Sequence, residues 1–135
     1  MSKPYIHAQS SVRRWGGKVE DYLPIHDLMD SSKAVTADVR HRALTHNSWF
    51  ISVIVEKIFG TVICNSDNKL ISTRDIAEQH VSEDFGGRFI PSAHDYIALI
   101  EYEEWMTSGK GKPPESHRKL DRKVSETSRR VMTFN

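Results

Sequence analysis

A single cysteine, Cys64, stands in a chain of 135 residues. No intrachain disulfide can form and no cysteine-based zinc knuckle can be built, which points to a reducing cytoplasm. Long apolar runs are missing as well. No stretch nears the roughly 20 residues that span a bilayer, so a membrane-crossing chain is not expected. The opening residues, MSKPYIHAQSSVRRWGG, lack the continuous apolar core of a secretory signal. Glycine is sparse, at 7 residues. The chain has no glycine-rich phosphate loop, no Gly-x-Ser-x-Gly elbow and no dinucleotide fingerprint. Gly16-Gly17 and Gly86-Gly87 read as turns.

What is present is ordinary in amount and uneven in placement. The 38% hydrophobic and 27% charged content is that of a globular protein with one core. Net charge is +1, yet residues 1–106 hold 11 Lys/Arg against 15 Asp/Glu and residues 107–135 hold 8 against 3. We expect one globular domain over 1–106 and a basic tail over 107–135, flexible or weakly helical. Such a tail suits weak nucleic-acid contact or an acidic partner, and more simply a solvated terminus. Of 7 histidines, six lie in the acidic body.

Periodicity predicts a mainly α (α+β) fold: a compact helical domain with one small β-hairpin between a long central helix and the helix that follows. Residues 2–15 read as an extended arm. A helix is predicted from Leu23 to Ala34, with Pro24 in its first turn. The long helix runs from Ala37 to Phe59, capped by Thr36 and stopped by Gly60. It places Val39, Ala43, Leu44, Phe50 and Ile51 on an apolar arc that includes His46, and puts His41 and Thr45 on the polar side. Thr61 to Cys64 and Lys69 to Thr73 flank Asn65-Ser66-Asp67-Asn68, the hairpin turn. Ser72 with Asp75 opens the next helix, and Ser92 with Asp95 opens a last one, Tyr96 to about Met106. Leu120 to Val131 allows a short, weakly apolar helix.

The chemistry-bearing residues fall at helical spacing. His26 and Asp30 are four apart, as are His80 and Asp84, so each pair aims one imidazole and one carboxylate at a common point. Two such pairs facing each other would complete a four-ligand shell for zinc or another divalent transition metal, manganese or iron included. His46, within the apolar arc, is the better candidate of the long helix. His41, five residues earlier, lies about 140° around and needs a bend to share an ion with it. His7 could add a ligand if the arm folds over the helices. Glu83 and Glu78 are candidate bases, and Arg40 and Arg42 candidate anion clamps. The His26-Asp27 doublet invites comparison with metal phosphohydrolases and carries little weight. His94 and His117 read as structural or unpartnered. The bland alternative for each residue is a surface ion pair or a buried, hydrogen-bonded histidine.

On these residues the chain resembles a family of small uncharacterised proteins of bacteria and their phages. The matching pieces are RRWGGKVEDYLPIHDLMDSSKA, DVRHRALTHN, EKIFGTVICNSDNK and STRDIAEQHVSEDFGGRFIPSAHDYI, which cover most of residues 7–106. The resemblance implies a shared polar set at His7, His26, Asp30, Arg40, His41, His46, Glu78, His80 and Glu83, and life in an infected host's cytoplasm. The chain departs from it at Asn47, where relatives usually carry a second histidine.

Two classes of function are expected from this reading. One is a metal-dependent hydrolase of phosphate esters or nucleotides, in which the ion activates water and a carboxylate takes its proton. The other is a non-enzymatic accessory protein that binds a host factor or a small phosphorylated ligand, its histidines structural or holding a structural metal.

Overall fold

The computed structural model of the chain describes residues 3–120. The stretch expected as an extended arm is instead helix α1 (Pro4–Trp15). Pro4 suits a first helical turn, and His7, Ala8 and Ser11 form one buried stripe. Two of those three residues are polar, which hides the stripe from any search for apolar periodicity.

Gly16 and Gly17 then reverse the chain with φ of +81° and +74°. The φ of Gly17 favours glycine there, and a Cβ would also crowd Asp21 Oδ2 at 2.5 Å and Asn65 Cβ at 3.1 Å. Helix α2 (Val19–Asp30) begins four residues before its expected start, and Pro24 lies in its interior. Proline cannot donate to the Glu20 carbonyl; both residues are exposed, so water can serve that oxygen. The helix tightens into a 3-10 turn, Ser31–Ala34.

The long central helix is the main departure from expectation. Residues 39–59 form a 3-10 turn (Val39–His41), a single helical turn α3 (Arg42–Thr45), a break, and then a helix with a π-helical section (Phe50–Val55) ending in α4 (Glu56–Phe59). Asn47 makes the break tolerable. Its side-chain amide donates to the Ala43 carbonyl at 3.1 Å, and its oxygen accepts from the Phe50 N–H at 2.8 Å. One buried side chain thus closes one helix and opens the next. Asp38, not Thr36, caps the entry by accepting from the Arg40 N–H at 2.8 Å. The break also turns His41 and Thr45 inward and leaves Val39 and Leu44 exposed, the reverse of the expected faces.

The hairpin forms as expected. Strands β1 (Val62–Cys64) and β2 (Leu70–Ser72) pair antiparallel with Ile63 opposite Ile71. Asn65 holds its turn by accepting from the N–H groups of Asp67 and Lys69, and its amide donates to the Trp15 carbonyl at 3.2 Å. Helix α5 (Thr73–Asp84) follows directly, with Ser72 Oγ accepting from the Asp75 N–H.

The last expected helix is shorter and lies earlier. Helix α6 (Ala93–Ile97) carries the Ser92–Asp95 capping box and stops, because Leu99 is 84% exposed and no buried stripe extends it. Among the described residues, those up to Ile100 form one compact unit and those from Glu101 on belong to a second. The second contains the one-turn helix α7 (Trp105–Ser108), ended by Gly109 in the left-handed conformation. The helix expected from Leu120 to Val131 falls, Leu120 apart, outside the described residues. Among the described residues no helix is long and apolar enough to cross a membrane.

The core of the first unit joins Ala8 of α1, Tyr22, Ile25 and Met29 of α2, Ile51 and Val55 of the π section, Ile71 of β2, and Ile76, Ala77 and Val81 of α5. Helices α1, α2 and α5 of this core also bury His7, Ser11, His26, Asp30, Gln79 and His80.

Candidate metal centre

Five of the seven histidines, His7, His26, His41, His46 and His80, are at most 1% exposed. Burying an imidazole is costly unless its nitrogens find partners, and all of these nitrogens but His7 Nε2 and His41 Nε2 have one. The hydrogen-bond network fixes the tautomers.

Thr45 Oγ1 lies 2.7 Å from the Met29 carbonyl, which can only accept, so the single hydroxyl proton of Thr45 is committed there. His46 Nδ1, 2.8 Å from the same hydroxyl, must therefore carry the N–H and donate. A neutral His46 is left with a lone pair on Nε2. That lone pair faces the Asp84 carboxylate at 2.8 Å and Asp30 Oδ1 at 3.9 Å.

An independent chain gives His80 the same form. Ser11 donates to Gln79 Oε1, because the Gln79 amide group is spent on the His7 carbonyl and Glu83. Ser11 Oγ thus accepts from His26 Nε2–H at 2.8 Å. Burial beside two other imidazoles pushes the His26 pKa down to about 2, so His26 is neutral and its Nδ1 must accept. The only donor there is His80 Nδ1–H, at 2.9 Å. A neutral His80 is then left with a second lone pair, on Nε2, 3.2 Å from Asp30 Oδ1 and 3.4 Å from Asp84 Oδ2.

With both rings neutral, two imidazole lone pairs and two carboxylate oxygens meet at one point. The four donor atoms, from Asp30, His46, His80 and Asp84, all lie within 4.8 Å of one another. Burial lowers the His46 pKa and its neighbours do not restore it, so a proton is held back from that ring. In the metal-free fold Asp84 stays ionised: burial opposes this, but protons shared with the imidazoles of His46, His7 and His80 outweigh it and hold its carboxyl far below the usual range, and a bound cation would take the place of those protons. Asp30 is lowered in the same way, chiefly by His80 and by Lys33, whose Nζ is 3.3 Å away. Anionic and lone-pair donors that converge on one buried point are the chemistry of a cation site. A tetrahedral zinc shell with bonds near 2.0 Å needs donor separations of roughly 3.3 Å. The contacts of 2.8, 3.2, 3.4 and 3.9 Å bracket that value.

The remaining candidates take other places. His26 has both nitrogens in hydrogen bonds and supports His80 from behind. His41 donates from Nδ1 to Ser32, which donates on to Thr45, so it braces His46 through two hydroxyls. His7 packs against His80 with ring centroids 3.9 Å apart, and its Nδ1 donates to Glu83 Oε1 at 2.8 Å. Burial lowers its pKa, but the neighbouring carboxylates of Asp84 and Glu83 outweigh it and the net shift is upward. Glu83 also accepts from Ser10 and Gln79. Glu78 pairs with Arg74 at 3.2 Å on the outer face of α5. Arg40 is held on the surface by Asp38 at 2.7 Å. Arg42 lies with its guanidinium 5.2 Å from the Phe85 ring centre, on a cavity of about 510 Å³ lined also by Val39, Tyr96 and Leu99. Asp27, His94 and His117 are exposed.

Sequence reasoning passed over Thr45, Ser32, Ser11 and Gln79, which set the tautomers. Two of them had a signal: Thr45 and Gln79 each directly precede a buried histidine.

A family model described as a domain of unknown function, DUF6915, matches residues 2–106. The chain belongs to that family. The DUF6915 match contains every residue of the centre and stops six residues beyond the first compact unit. No curated protein and no solved structure matches the chain.

Proposed function

We propose that this DUF6915 protein is a metal-binding protein in which Asp30, His46, His80 and Asp84 hold one divalent transition ion, with zinc the best match. The observation that carries the reading is the pair of tautomer-fixed Nε2 lone pairs aimed at two ionised carboxylates. All four donors come from protein, three from buried residues and the fourth from Asp84, whose side chain is 6% exposed, which suits an ion that ties α2, the break after α3 and α5 together. Elemental analysis of protein purified without a histidine tag tests it directly: one equivalent of metal per chain is expected. A chelator should lower the melting temperature by many degrees. Protein that contains no metal, takes none up and melts identically with chelator would refute the reading.

A second reading adds hydrolysis of a phosphate ester to the same ion. What favours it is Arg42, whose Nε is buried without a hydrogen-bond partner at the apolar cavity beside Phe85 and Tyr96. Phe85 follows Asp84 in the chain, and the Tyr96 hydroxyl donates to the His46 carbonyl at 3.0 Å, so this cavity adjoins the centre. A phosphorylated ligand with an apolar body would place its anion on Arg42. Turnover of phosphate esters by the zinc- or manganese-loaded protein, lost in Arg42→Gln with metal content unchanged, supports this reading. A loaded protein that turns over none of a broad panel leaves metal binding alone.

A further inference from the structure

Two imidazole nitrogens, His7 Nε2 and His41 Nε2, are buried without a hydrogen-bond partner, and of these His7 Nε2 lies beside a carboxylate of the four-donor shell. His7 is 1% exposed, yet its Nε2 is buried with no hydrogen-bond partner. That nitrogen stands 3.2 Å from Asp84 Oδ1, the oxygen that the pair of lone pairs on His46 and His80 does not use. The back of the ring is fixed: Nδ1–H donates to Glu83 Oε1 at 2.8 Å, and Glu83 is itself held by Ser10 and by the Gln79 amide at 3.0 Å. A carboxylate that binds one imidazole nitrogen so that the other faces inward is the usual support of a metal-bound histidine.

We propose that His7 is a fifth donor to the same ion, so that the complete shell is His7, Asp30, His46, His80 and Asp84, with Glu83 as the positioning residue of His7. This rests on the metal-binding reading above. It gives Asp84 a role for both oxygens, Oδ2 toward His46 and His80 and Oδ1 toward the side on which His7 enters. It also explains why α1 places a histidine rather than an aliphatic residue against His80 at a ring separation of 3.9 Å. The shell then joins α1 to the segments that the other four donors already link. The competing arrangement is a protonated His7 paired with Glu83 and Asp84, which leaves two imidazoles on the ion.

The test uses the full chain loaded with cobalt(II) and with zinc. Cobalt in a five-donor shell absorbs weakly in the visible, whereas a four-donor tetrahedral shell absorbs several-fold more strongly. The wild type should show the weak spectrum, His7→Gln the strong one, and Glu83→Gln should bind about 10- to 100-fold more weakly. If His7→Gln fails to fold by far-UV circular dichroism, X-ray absorption at the zinc edge of the wild type decides by counting imidazoles. Three support the proposal and two overturn it. Identical strong spectra in wild type and variant also overturn it, as do two ions per wild-type chain with one lost in His7→Gln. Protein that binds neither metal refutes the metal-binding reading itself, and this proposal with it.

Discussion

Two stretches of this protein each deliver histidine to the same buried point, and they do it in opposite ways. Helix α5 is regular from Thr73 to Asp84, so His80 and Asp84, four apart, arrive on one face by geometry alone. Residues 39–59 are irregular, and His46 arrives only because the helix breaks around it. An unbroken helix would turn His41 and His46 about 140° apart; in the structure both are buried, with ring centroids 5.2 Å apart. The regular stretch costs little backbone organisation and shows itself in the sequence. The broken one needs Asn47 to satisfy two helix ends, and a set of hydroxyls to hold the ring that results.

The comparison can be broken hardest on the regular side. Asp84 touches His46, His80 and His7, so Asp84→Ala should weaken zinc binding more than about 100-fold, beyond the loss typical of supporting residues. Competition against a chromogenic chelator measures it, and binding within a few-fold of wild type would remove Asp84 from the shell. On the broken side, Asn47→Ala strips both helix ends of their partner and should cost about 2 to 3 kcal/mol, read from urea unfolding of metal-free protein. Asn47→His, the residue expected in relatives, should recover part of this only if an imidazole can serve both ends.

Acid sharpens the contrast further. In the metal-free fold His26 titrates at about 2 rather than near its ordinary 6.5, so between those values the unfolded chain takes up a proton that the folded one refuses. Stability is whole above pH 6.5 and falls below it, by about 2 kcal/mol at pH 5 from His26. His46, lowered for the same reason of burial, adds to the fall. His7 opposes it, since its raised pKa gives stability that is present below 6.5 and fades as pH rises through its folded value. Denaturant midpoints at pH 7.5 and 5 check the net sign; a midpoint that rises on acidification would contradict it. The smallest effect belongs to the cap of the regular helix: Ser72→Ala should cost about 1 kcal/mol with zinc affinity nearly unchanged.

Much of the fold was legible where local rules act without competition. The hairpin, the Ser72 and Ser92 caps and α5 follow from turn chemistry, capping and one-face periodicity. Helix α1 was not legible, because His7 and Ser11 occupy its buried stripe and read as polar surface. Of the centre, the two His-x-x-x-Asp pairs stood out, and the structure brings Asp30, His80 and Asp84 together with His46. His26, equally prominent in sequence, lies one hydrogen bond further back, and only the packing of α2 against α5 decides that His80 stands between it and the carboxylates.

By itself the sequence determined that imidazoles and acids recur at helical spacing inside a small helical body; their burial came with the packing. Tertiary structure alone decided which nitrogen of each ring carries its hydrogen. That choice depends on where single protons from Thr45 and Ser11 are spent, on a carbonyl 16 residues away in one case and an amide 68 residues away in the other. Periodicity places side chains on faces, but a lone pair acquires its direction only when its neighbours' donors are already committed.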